Sequence, residues 1–434
     1  MSLWSRLFGA QRAAPPPKLS SLPPPASTAA PQSVAPTFGA RRPLVGVNGE
    51  VAGFEFRLAP ATQRRLQAAA ADGAAAAAHA IALLAAMRST LAAGRVALGE
   101  LPAELLARTR VAEQVPEGAW IVVQGAFEPG DTLAGALTAW RTRGVRLGAV
   151  DGGTEPPGAS FVVLHAGQDL PALTAALERN AQQRPTLARV VLDLPGVEGI
   201  EQALERGAAL AAGRVEAGDA ALAQRRIVQP ATQRLCQLLN DVVADRDTAQ
   251  IGAALRADIA LSYRLLRFVN SPAVGLSKPV ESVEQAVMVL GRAELYRWLS
   301  VLLTASGAGR KASRALQEVA LARARLLELL APAVGAPPAA LFTVGLLSML
   351  DALLQVPLAD ALAPLQIAPE AREAIVDRRG SWGPLLALAV AVERHDLAAA
   401  EPLAAPFGGL DAVLALADEA WAWSAELSRT QVGP

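Results

Sequence analysis

The chain is 434 residues long and has 40 basic and 40 acidic side chains, so its formal net charge is zero. This length allows two or three domains with sizeable cores, and the balanced charge argues against nucleic acid or an anionic membrane as a partner. The single cysteine, Cys236, excludes an internal disulfide framework and fits a reducing compartment. The longest apolar run, residues 74–87, is too short to cross a bilayer, and the first residues lack the apolar core of a signal peptide. We therefore expect a cytoplasmic protein without a membrane span.

Residues 1–41 are predicted to be a disordered tether. Most of this segment consists of Pro, Ala and Ser, a composition that cannot bury a core and disfavours helix. Ahead of the Pro-rich run, Leu3, Trp4, Leu7 and Phe8 would share one face of a short helix. Two interpretations stay open for these ten residues: a docking helix on a tether, or a frayed terminus with chance hydrophobic residues.

Residues 42–218 alternate short apolar runs with helical stretches. Such β–α alternation predicts a parallel sheet covered by helices, closed or partly closed into a barrel. The predicted strands are residues 54–58, 95–98, 120–124, 145–150, 161–165 and 189–193. The predicted helices are residues 62–87, 133–143, 170–179 and 199–212.

Residues 219–434 show helical periodicity almost throughout. Apolar residues recur at helical spacing, and prolines and glycines interrupt the pattern at short intervals. The sequence therefore predicts an all-α domain of short packed helices after the α/β domain.

Residues 255–303 are the most informative stretch of this helical half, because they predict three short helices with defined breaks. In the first helix, Tyr263, Leu266, Phe268 and Val269 have the spacing of a buried face. Asn270 and Ser271 end that helix through side-chain hydrogen bonds to the backbone. Ser282 with Gln285 forms a capping box for the next helix, and Gly291 breaks it.

This stretch resembles the HDOD module, a relative of metal-dependent HD phosphohydrolases that is usually not an enzyme. Residues 341–351, LFTVGLLSMLD, are similar to its second signature. In the other half, RPL at 42–44 and VAGFEFR at 51–57 are similar to the opening of the short EAL domain found fused to HDOD. Together these motifs resemble the EAL–HDOD fusion family, which implies a degenerate EAL-like (β/α) barrel followed by an all-α HDOD domain.

An active EAL domain is a cyclic di-GMP phosphodiesterase. It holds two divalent metals with carboxylates and an Asn at strand ends, and a Lys helps to activate water. The resemblance places Glu55 and Asp151 at two of the acidic positions. The expected Asn, Glu, Lys and late Glu fall on Gly99, Gln124, Val163 and Pro195. Two surviving acids cannot hold a two-metal cluster, so we expect Glu55 and Asp151 to be remnant polar residues at strand ends.

The HD-type metal site is also expected to be lost. Where metal-binding relatives read GLLHDIG, Ser348 and Met349 replace the His and the Asp. The three histidines, His79, His165 and His395, are scattered along the chain. His395 with Asp396 spells the letters HD but is interpreted as a surface helix end. We therefore expect no metal, no other cofactor and no catalytic residue.

Four residues of the HDOD-like stretch are candidates for a recognition surface: Arg264, Arg267, Arg297 and Trp298. Arginine and tryptophan are favoured where proteins bind one another. The alternative is that these residues only maintain the fold.

The predicted function is that of a non-catalytic signal-transduction protein that acts through protein–protein interaction. The resemblance links it to cyclic di-GMP signalling, with another signalling protein as the partner and homo-oligomerisation left open. The alternatives are a cyclic di-GMP sensor without hydrolysis and an active phosphodiesterase.

Overall fold

The computed structural model describes residues 41–57, 73–125, 132–167, 170–218, 229–271, 274, 276, 279–305 and 309–431. The predicted tether and its N-terminal helix lie outside the described residues. Contacts divide the described chain into two compact units. The smaller unit is Gln237–Leu299, and the larger unit combines the residues before it with those from Ser300 onward.

The first part of the larger unit is a closed barrel of eight strands that follow one another in chain order. The first strand is antiparallel to both of its neighbours, and the other neighbouring pairs are parallel. The strands are β1 (Arg41–Gly46), β2 (Val51–Phe56), β3 (Val96–Pro102), β4 (Trp120–Gln124), β5 (Arg146–Val150), β6 (Phe161–His165), β7 (Ala188–Leu194) and β8 (Leu210–Gly213).

The helices of the barrel part lie between the parallel strands. They are α1 (Gly73–Ala92), α2 (Ala103–Leu106), α3 (Thr109–Ala112), α4 (Thr132–Thr142), α5 (Leu170–Gln183) and α6 (Val197–Glu205). Inside the barrel, alternate residues of each strand form an apolar core, because successive side chains of a strand point to opposite faces. The core includes Leu98, Val122, Phe161, Val163 and Val190.

The remaining helices follow in chain order. They are α7 (Pro230–Val243), α8 (Thr248–Arg256), α9 (Ile259–Val269), α10 (Val283–Ala305), α11 (Ser313–Leu330), α12 (Pro338–Leu347), α13 (Leu350–Leu354), α14 (Leu358–Leu362), α15 (Pro369–Arg372), α16 (Gly383–Glu393), α17 (Leu397–Ala404) and α18 (Leu410–Gln431), with short 3₁₀ segments at Ala331–Val334 and Ala405–Phe407 and a π-helical turn at Glu373–Asp377. The predicted fold class, an α/β barrel followed by an all-α region, is confirmed.

The last helices pack directly on the barrel within the larger unit. The rings of Phe54 on β2 and Trp421 on α18 make a T-shaped contact, with centroids 5.0 Å apart. Arg95, just before β3, donates to both carboxylate oxygens of Glu318 on α11, at 2.6 and 3.1 Å. An apolar contact and a bidentate, partly buried ion pair therefore join the two parts.

One predicted element of the barrel is wrong. Residues 199–212 were expected to form one helix, but α6 ends at Glu205 and the alanine-rich residues that follow form β8. β8 pairs with β1 and closes the barrel, so tertiary pairing overrides the helical preference of alanine. β1 was not predicted either. The predicted helix 62–87 begins at Gly73 among the described residues, and residues 62–72 lie outside them.

Turn and cap signals in the smaller unit agree with the prediction. Gly291 has φ 71° and ψ 172° inside α10 and breaks that helix. Ser282 Oγ accepts from the backbone N–H of Gln285 at 3.2 Å. Asn270 acts over a longer distance than expected: its side chain donates to the carbonyl of Val280 at 2.8 Å and accepts from the Val280 N–H at 2.7 Å. This amide therefore fixes the loop between α9 and α10.

The predicted buried face of α9 is rotated relative to the observed one. Leu261, Leu265 and Val269 are buried, whereas Tyr263 is 64% exposed. Leu266 and Phe268 are half-buried. Tyr263 therefore lies on the outer face of the helix.

No single helix in the described ranges is long and apolar enough to cross a membrane, while one pair bent by 96°, Leu397–Phe407 with Leu410–Leu427, meets the length and composition criteria jointly.

Candidate functional site at the mouth of the barrel

Polar residues follow the apolar core at the carboxyl ends of the parallel strands. Leu98 on β3 is followed two positions later by Glu100, Val122 on β4 by Gln124, and Val163 on β6 by His165. Because alternate residues share a face, these polar side chains point to the same end of the barrel interior. Together with residues from β1, β2 and β7 they form what we call the mouth network: Arg42, Glu55, Arg57, Glu100, Gln124, His165 and Asp193.

Glu55 is the buried centre of this network. It is fully buried on β2, and its cross-strand partner on β1 is Arg42. Arg42 donates from Nε and Nη2 to one carboxylate oxygen, at 2.8 and 2.6 Å, and Arg57 donates from Nε to the other oxygen. Burial would raise the pKa of Glu55, but the charges of Arg42 and Arg57 hold that pKa below its usual range.

Asp193 is a second acidic centre of the network. It has φ 65°, at an irregularity in the pairing of β7 with β8, and such a bulge re-aims a side chain. Arg42 donates to Asp193 at 3.0 Å, and Arg57 donates to both of its oxygens at 3.0 and 3.1 Å. Both arginines are therefore shared between Glu55 and Asp193.

His165 joins Asp193 to Glu100. Its Nδ1 lies 2.7 Å from Asp193 Oδ2, and its Nε2 lies 3.2 Å from Glu100 Oε1. Gln124 donates to the other oxygen of Glu100 at 2.7 Å. Hydrogen bonding to Asp193 and to Glu100 raises the pKa of His165 to about 9, so His165 is an imidazolium at neutral pH. Three cations in the network thus balance three carboxylates.

His395 reaches the same place from the helical part of the larger unit. It follows α16 in a left-handed conformation, with φ 66°. Both ring nitrogens are buried, and neither has a hydrogen-bond partner among the described residues. Burial lowers the pKa of His395 to about 4, and Glu55 and Arg42 are the charges that act on it most strongly. The interpretation of His395 as a surface helix end is therefore wrong. Asp396 accepts from the Ala399 N–H at 3.1 Å and caps α17.

Asp151 lies apart from Glu55. It follows β5 and accepts from Arg179 at 2.7 Å and from Asn180 at 3.1 Å, both on α5. The two acids that the resemblance singled out therefore have different partners, and the described contacts do not bring them together. The candidate carboxylates that share partners with Glu55 are Asp193 and, through His165, Glu100.

Gly99, where the resemblance places the expected Asn, does not face the barrel interior. A side chain there would meet Met87 and Leu83 of α1, at 3.2 and 3.4 Å, outside the barrel. The inward residue at this end of β3 is Glu100. A carboxylate therefore faces the barrel mouth from the strand on which the expected Asn ligand is replaced by Gly99. Val163 does point inward, as part of the apolar core.

A second buried cluster lies at the HD-like position of the helical part. Arg323 on α11 donates to both oxygens of Glu393 at 3.0 and 2.7 Å, and to Ser348 Oγ at 2.9 Å. Ser348 in turn donates to the carbonyl of Gly345 at 2.7 Å. Burial would lower the pKa of Arg323, but the neighbouring Glu393 raises it above its usual value. Met349 is buried next to this cluster in the chain.

Three consecutive residues connect the two clusters. Glu393 pairs with Arg323, Arg394 donates to Glu216 just after β8, and His395 lies against the mouth network. The end of α16 therefore ties the HD-like cluster of the helical part to the mouth of the barrel.

The candidate recognition surface is only partly exposed. Arg264 and Arg267 are exposed on α9, whereas Arg297 is 9% and Trp298 is 7% exposed on α10. The ring of Trp298 stacks on Phe268 with centroids 6.2 Å apart. The inclusion of Arg297 and Trp298 in a surface is therefore wrong, because packing covers them.

Sequence reasoning missed most of the mouth network, although a signal for it exists. Three apolar strand runs end on a polar residue at an inward position: VALGE, WIVVQ and FVVLH. The sequence pattern did not indicate His395 or Asp193. Both residues have a left-handed backbone conformation, His395 after a helix and Asp193 within a strand, and this conformation sets the direction of their side chains. Among the described residues, no group of three or more His, Cys, Asp or Glu side chains is arranged to hold a metal ion.

Comparisons with known proteins match parts of this chain. Residues 228–378 match the model of the HDOD domain. A stretch of 164 residues, 37% of this chain, is 29% identical to 40% of the uncharacterized protein YuxH of Bacillus subtilis (strain 168). A stretch of 210 residues, 48% of this chain, is 31% identical to 48% of the cyclic di-GMP phosphodiesterase CdgJ of Vibrio cholerae serotype O1. The chain thus spans about half the length, or less, of these curated relatives.

Solved structures also align with part of this chain. The EAL domain protein from Listeria monocytogenes EGD-e aligns with 41% of this chain and 85% of its own length, at 14% identity and a TM-score of 0.33.

Proposed function

Because this chain is an EAL–HDOD fusion, with the HDOD domain at residues 228–378, we propose that it is a non-catalytic signal-transduction protein that acts through protein–protein interaction. The observation that supports this most strongly is the pairing of Arg42 and Arg57 with Glu55. Two guanidinium groups lie where a metal-dependent phosphodiesterase of this family would need cations bound to the same carboxylate.

Electrostatics argues against divalent metals at the mouth network. Mg²⁺ takes about six oxygen ligands in a near-ideal octahedron and keeps several waters. Both oxygens of Glu55 already accept hydrogen bonds from arginine, and Asp193 is shared by the same two arginines. A metal would have to displace both guanidinium groups and leave the buried Arg42 and the half-buried Arg57 without their carboxylates, which is costly. The residues present therefore do not fit a two-metal cluster.

The group that would activate water is also missing from this part of the sequence. Residues 42–218 contain no lysine, and the inward position expected for it is Val163 in the apolar core. His165 cannot serve as a general base near neutral pH, because its pKa is raised to about 9 and the ring is already protonated.

The HD-like cluster supports the same proposal for the helical part. Arg323 places a buried positive charge where an HD enzyme would hold a metal between His and Asp ligands. Ser348, which accepts from Arg323, has neither an imidazole nor a carboxylate to bind a metal. Buried arginine–glutamate pairs thus stand at both sites. We propose that each pair replaces a metal as the group that holds its site together.

The link to cyclic di-GMP signalling rests on relationship. CdgJ is named as a cyclic di-GMP phosphodiesterase, and 48% of this chain is similar to it. We propose that this chain works in the same signalling context, in the cytoplasm, by presenting helix faces to another signalling protein. A scaffold of this kind shifts a partner's conformational equilibrium through differential binding and needs no chemistry of its own.

Titration calorimetry with cyclic di-GMP and Mg²⁺ tests the scaffold role against a sensor role. The proposal predicts no heat of binding at micromolar nucleotide, because the mouth network is internally neutralised. Micromolar binding without turnover would replace it with the sensor alternative, and turnover would overturn it. An affinity pull-down with the full chain and with a chain lacking residues 1–41 then identifies partners and tests whether Trp4 and Phe8 recruit them.

A further inference from the structure

Helix α9 exposes two large apolar side chains one turn apart. Ile259 is 86% exposed and Tyr263 is 64% exposed, while the opposite face of the helix, which includes Leu265, is buried. Residues at i and i+4 lie side by side on a helix, so these two side chains form one continuous stripe. Singly exposed apolar residues are ordinary on protein surfaces, but an adjacent pair that includes a tyrosine is the composition of a binding anchor.

The same face is basic. Arg267 lies one turn beyond Tyr263 on the stripe, Arg264 flanks the stripe about 100° around the helix from Tyr263, and both are exposed. No acidic residue occurs between Ile259 and Val269. An apolar and basic strip therefore stands out on a chain whose net charge is zero.

We infer that this face of α9, formed by Ile259, Tyr263, Arg264 and Arg267, is the docking site for an acidic amphipathic helix of a partner protein. The inference rests on the interaction role proposed above and names the surface and the chemistry of its partner. Apolar residues of the partner helix cover Ile259 and Tyr263, and its carboxylates lie against the two arginines, as in helix-in-groove recognition with complementary charge.

Charge argues against the other occupants. In a symmetric dimer the same face meets itself, so Arg264 and Arg267 would meet an equally basic face that offers no carboxylate. The chain's N-terminal segment, residues 1–10, contains Arg6 and no acid, and it repeats the same conflict. An anionic membrane fits the charge, but membrane-surface helices bury a broader apolar face than two side chains.

Trp298 supports this surface from behind. Its ring stacks on Phe268, which adjoins Arg267 on α9, and it is itself buried. Trp298 is therefore a positioning residue for the helix and does not contact the partner.

Selection of a random-peptide display library on the full-length chain tests this inference. Enriched peptides are expected to place apolar residues at helical spacing beside Asp and Glu. Fluorescence anisotropy with one enriched synthetic peptide should show roughly tenfold weaker binding, or worse, to the Arg264→Glu/Arg267→Glu variant, and a similar loss for Tyr263→Ala. Arg110→Glu/Arg206→Glu changes the charge equally at two exposed barrel-part residues and should leave affinity unchanged.

Three results would overturn the inference. These are the absence of any enriched peptide, equal binding to the α9 charge-reversal variant, and co-sedimentation of the wild-type chain, but not of that variant, with phosphatidylserine vesicles. If the charge-reversal variant melts below the wild type, Arg264→Gln/Arg267→Gln replaces it. This test is independent of the hydrolysis assay. If the chain binds no acidic peptide and also shows no turnover, the docking site is contradicted and the non-catalytic role is not.

Discussion

Arg42 and Glu55 lie directly opposite each other across the antiparallel pair of β1 and β2. Nε and Nη2 of Arg42 converge on one oxygen of the fully buried carboxylate, at 2.8 and 2.6 Å, and Arg57 takes the other oxygen. The register of one hairpin thus places a fixed cation on the acid that the resemblance to EAL domains singled out. Consequences for stability, for pH dependence and for activity follow from this pair and its neighbours.

Removal of one partner of this pair should be strongly destabilising. Arg42→Met leaves Glu55 buried with less compensation, and we expect a loss of about 3 kcal/mol in the free energy of unfolding. The double variant Arg42→Met/Glu55→Leu should lose less than the sum of the two single variants, because no uncompensated charge remains. Urea denaturation followed by tryptophan fluorescence measures all three.

Arg314→Met is the matched control. Arg314 and Glu50 are exposed and 3.9 Å apart, so this change should cost about 0–1 kcal/mol. Additive losses in the Arg42 and Glu55 variants would contradict the coupling described here.

His165 should make the protein less stable at alkaline pH. Its pKa is raised to about 9 by Asp193 and Glu100, against an ordinary value of about 6.5. Because the folded state holds this proton more tightly, the stabilisation is fully present below about pH 6.5 and is lost as pH rises toward 9. Thermal melts across this range should show the decline for the wild type and a flatter profile for His165→Gln. An equal dependence of the melting temperature on pH in both proteins would contradict the raised pKa of His165.

His395 should have the opposite effect at acidic pH. Burial lowers its pKa to about 4, so between about pH 6.5 and 4 the unfolded chain takes up a proton that the folded chain refuses. Stability should therefore fall as pH falls through this window. His395→Phe removes the titrating group, and its melting temperature should depend less on pH over the same range. NMR titration of the His395 ring gives the direct readout, and a pKa near 6.5 would refute burial at the barrel mouth.

The Arg323–Glu393 pair should be important for the stability of the helical part. Glu393→Ala strands a buried guanidinium, and we expect a loss of about 3–5 kcal/mol in the free energy of unfolding. Glu419→Ala breaks a pair between the exposed Glu419 and the half-buried Arg325, 3.0 Å apart, and should cost less than about 1 kcal/mol because Arg325 keeps its pair with Glu328. Guanidinium denaturation compares the two. A small loss for Glu393→Ala, comparable to that of Glu419→Ala, would contradict the structural role of this pair.

Local signals in the sequence predicted the fold class and several breaks correctly. Alternating β and α patterns predicted the barrel, and Gly291 and Ser282 marked the break and the start of α10. β8 escaped prediction because AALAAG has the composition of a helix and becomes a strand only by pairing with β1. Tyr263 was placed on the wrong face because two faces of α9 carry apolar residues.

The candidate site depended on geometry that spacing does not encode. Glu100, rather than Gly99, faces the barrel mouth because inward and outward residues alternate along β3, and a one-residue error in register exchanges them. His395 lies 340 positions after Glu55 in the sequence. Packing of the helical part on the barrel brings the two residues close enough for their charges to interact. The ends of the strands were predictable from the sequence. The pairing of Arg42 and Arg57 with the carboxylates at those ends was not.

The most direct test of the non-catalytic role is a hydrolysis assay with cyclic di-GMP and either Mg²⁺ or Mn²⁺, in which chromatography quantifies the linear dinucleotide product. The wild-type chain and Glu55→Gln should both give only the rate of the enzyme-free control, because both oxygens of Glu55 already accept hydrogen bonds from arginines. Turnover by the wild-type chain that Glu55→Gln abolishes would contradict this account.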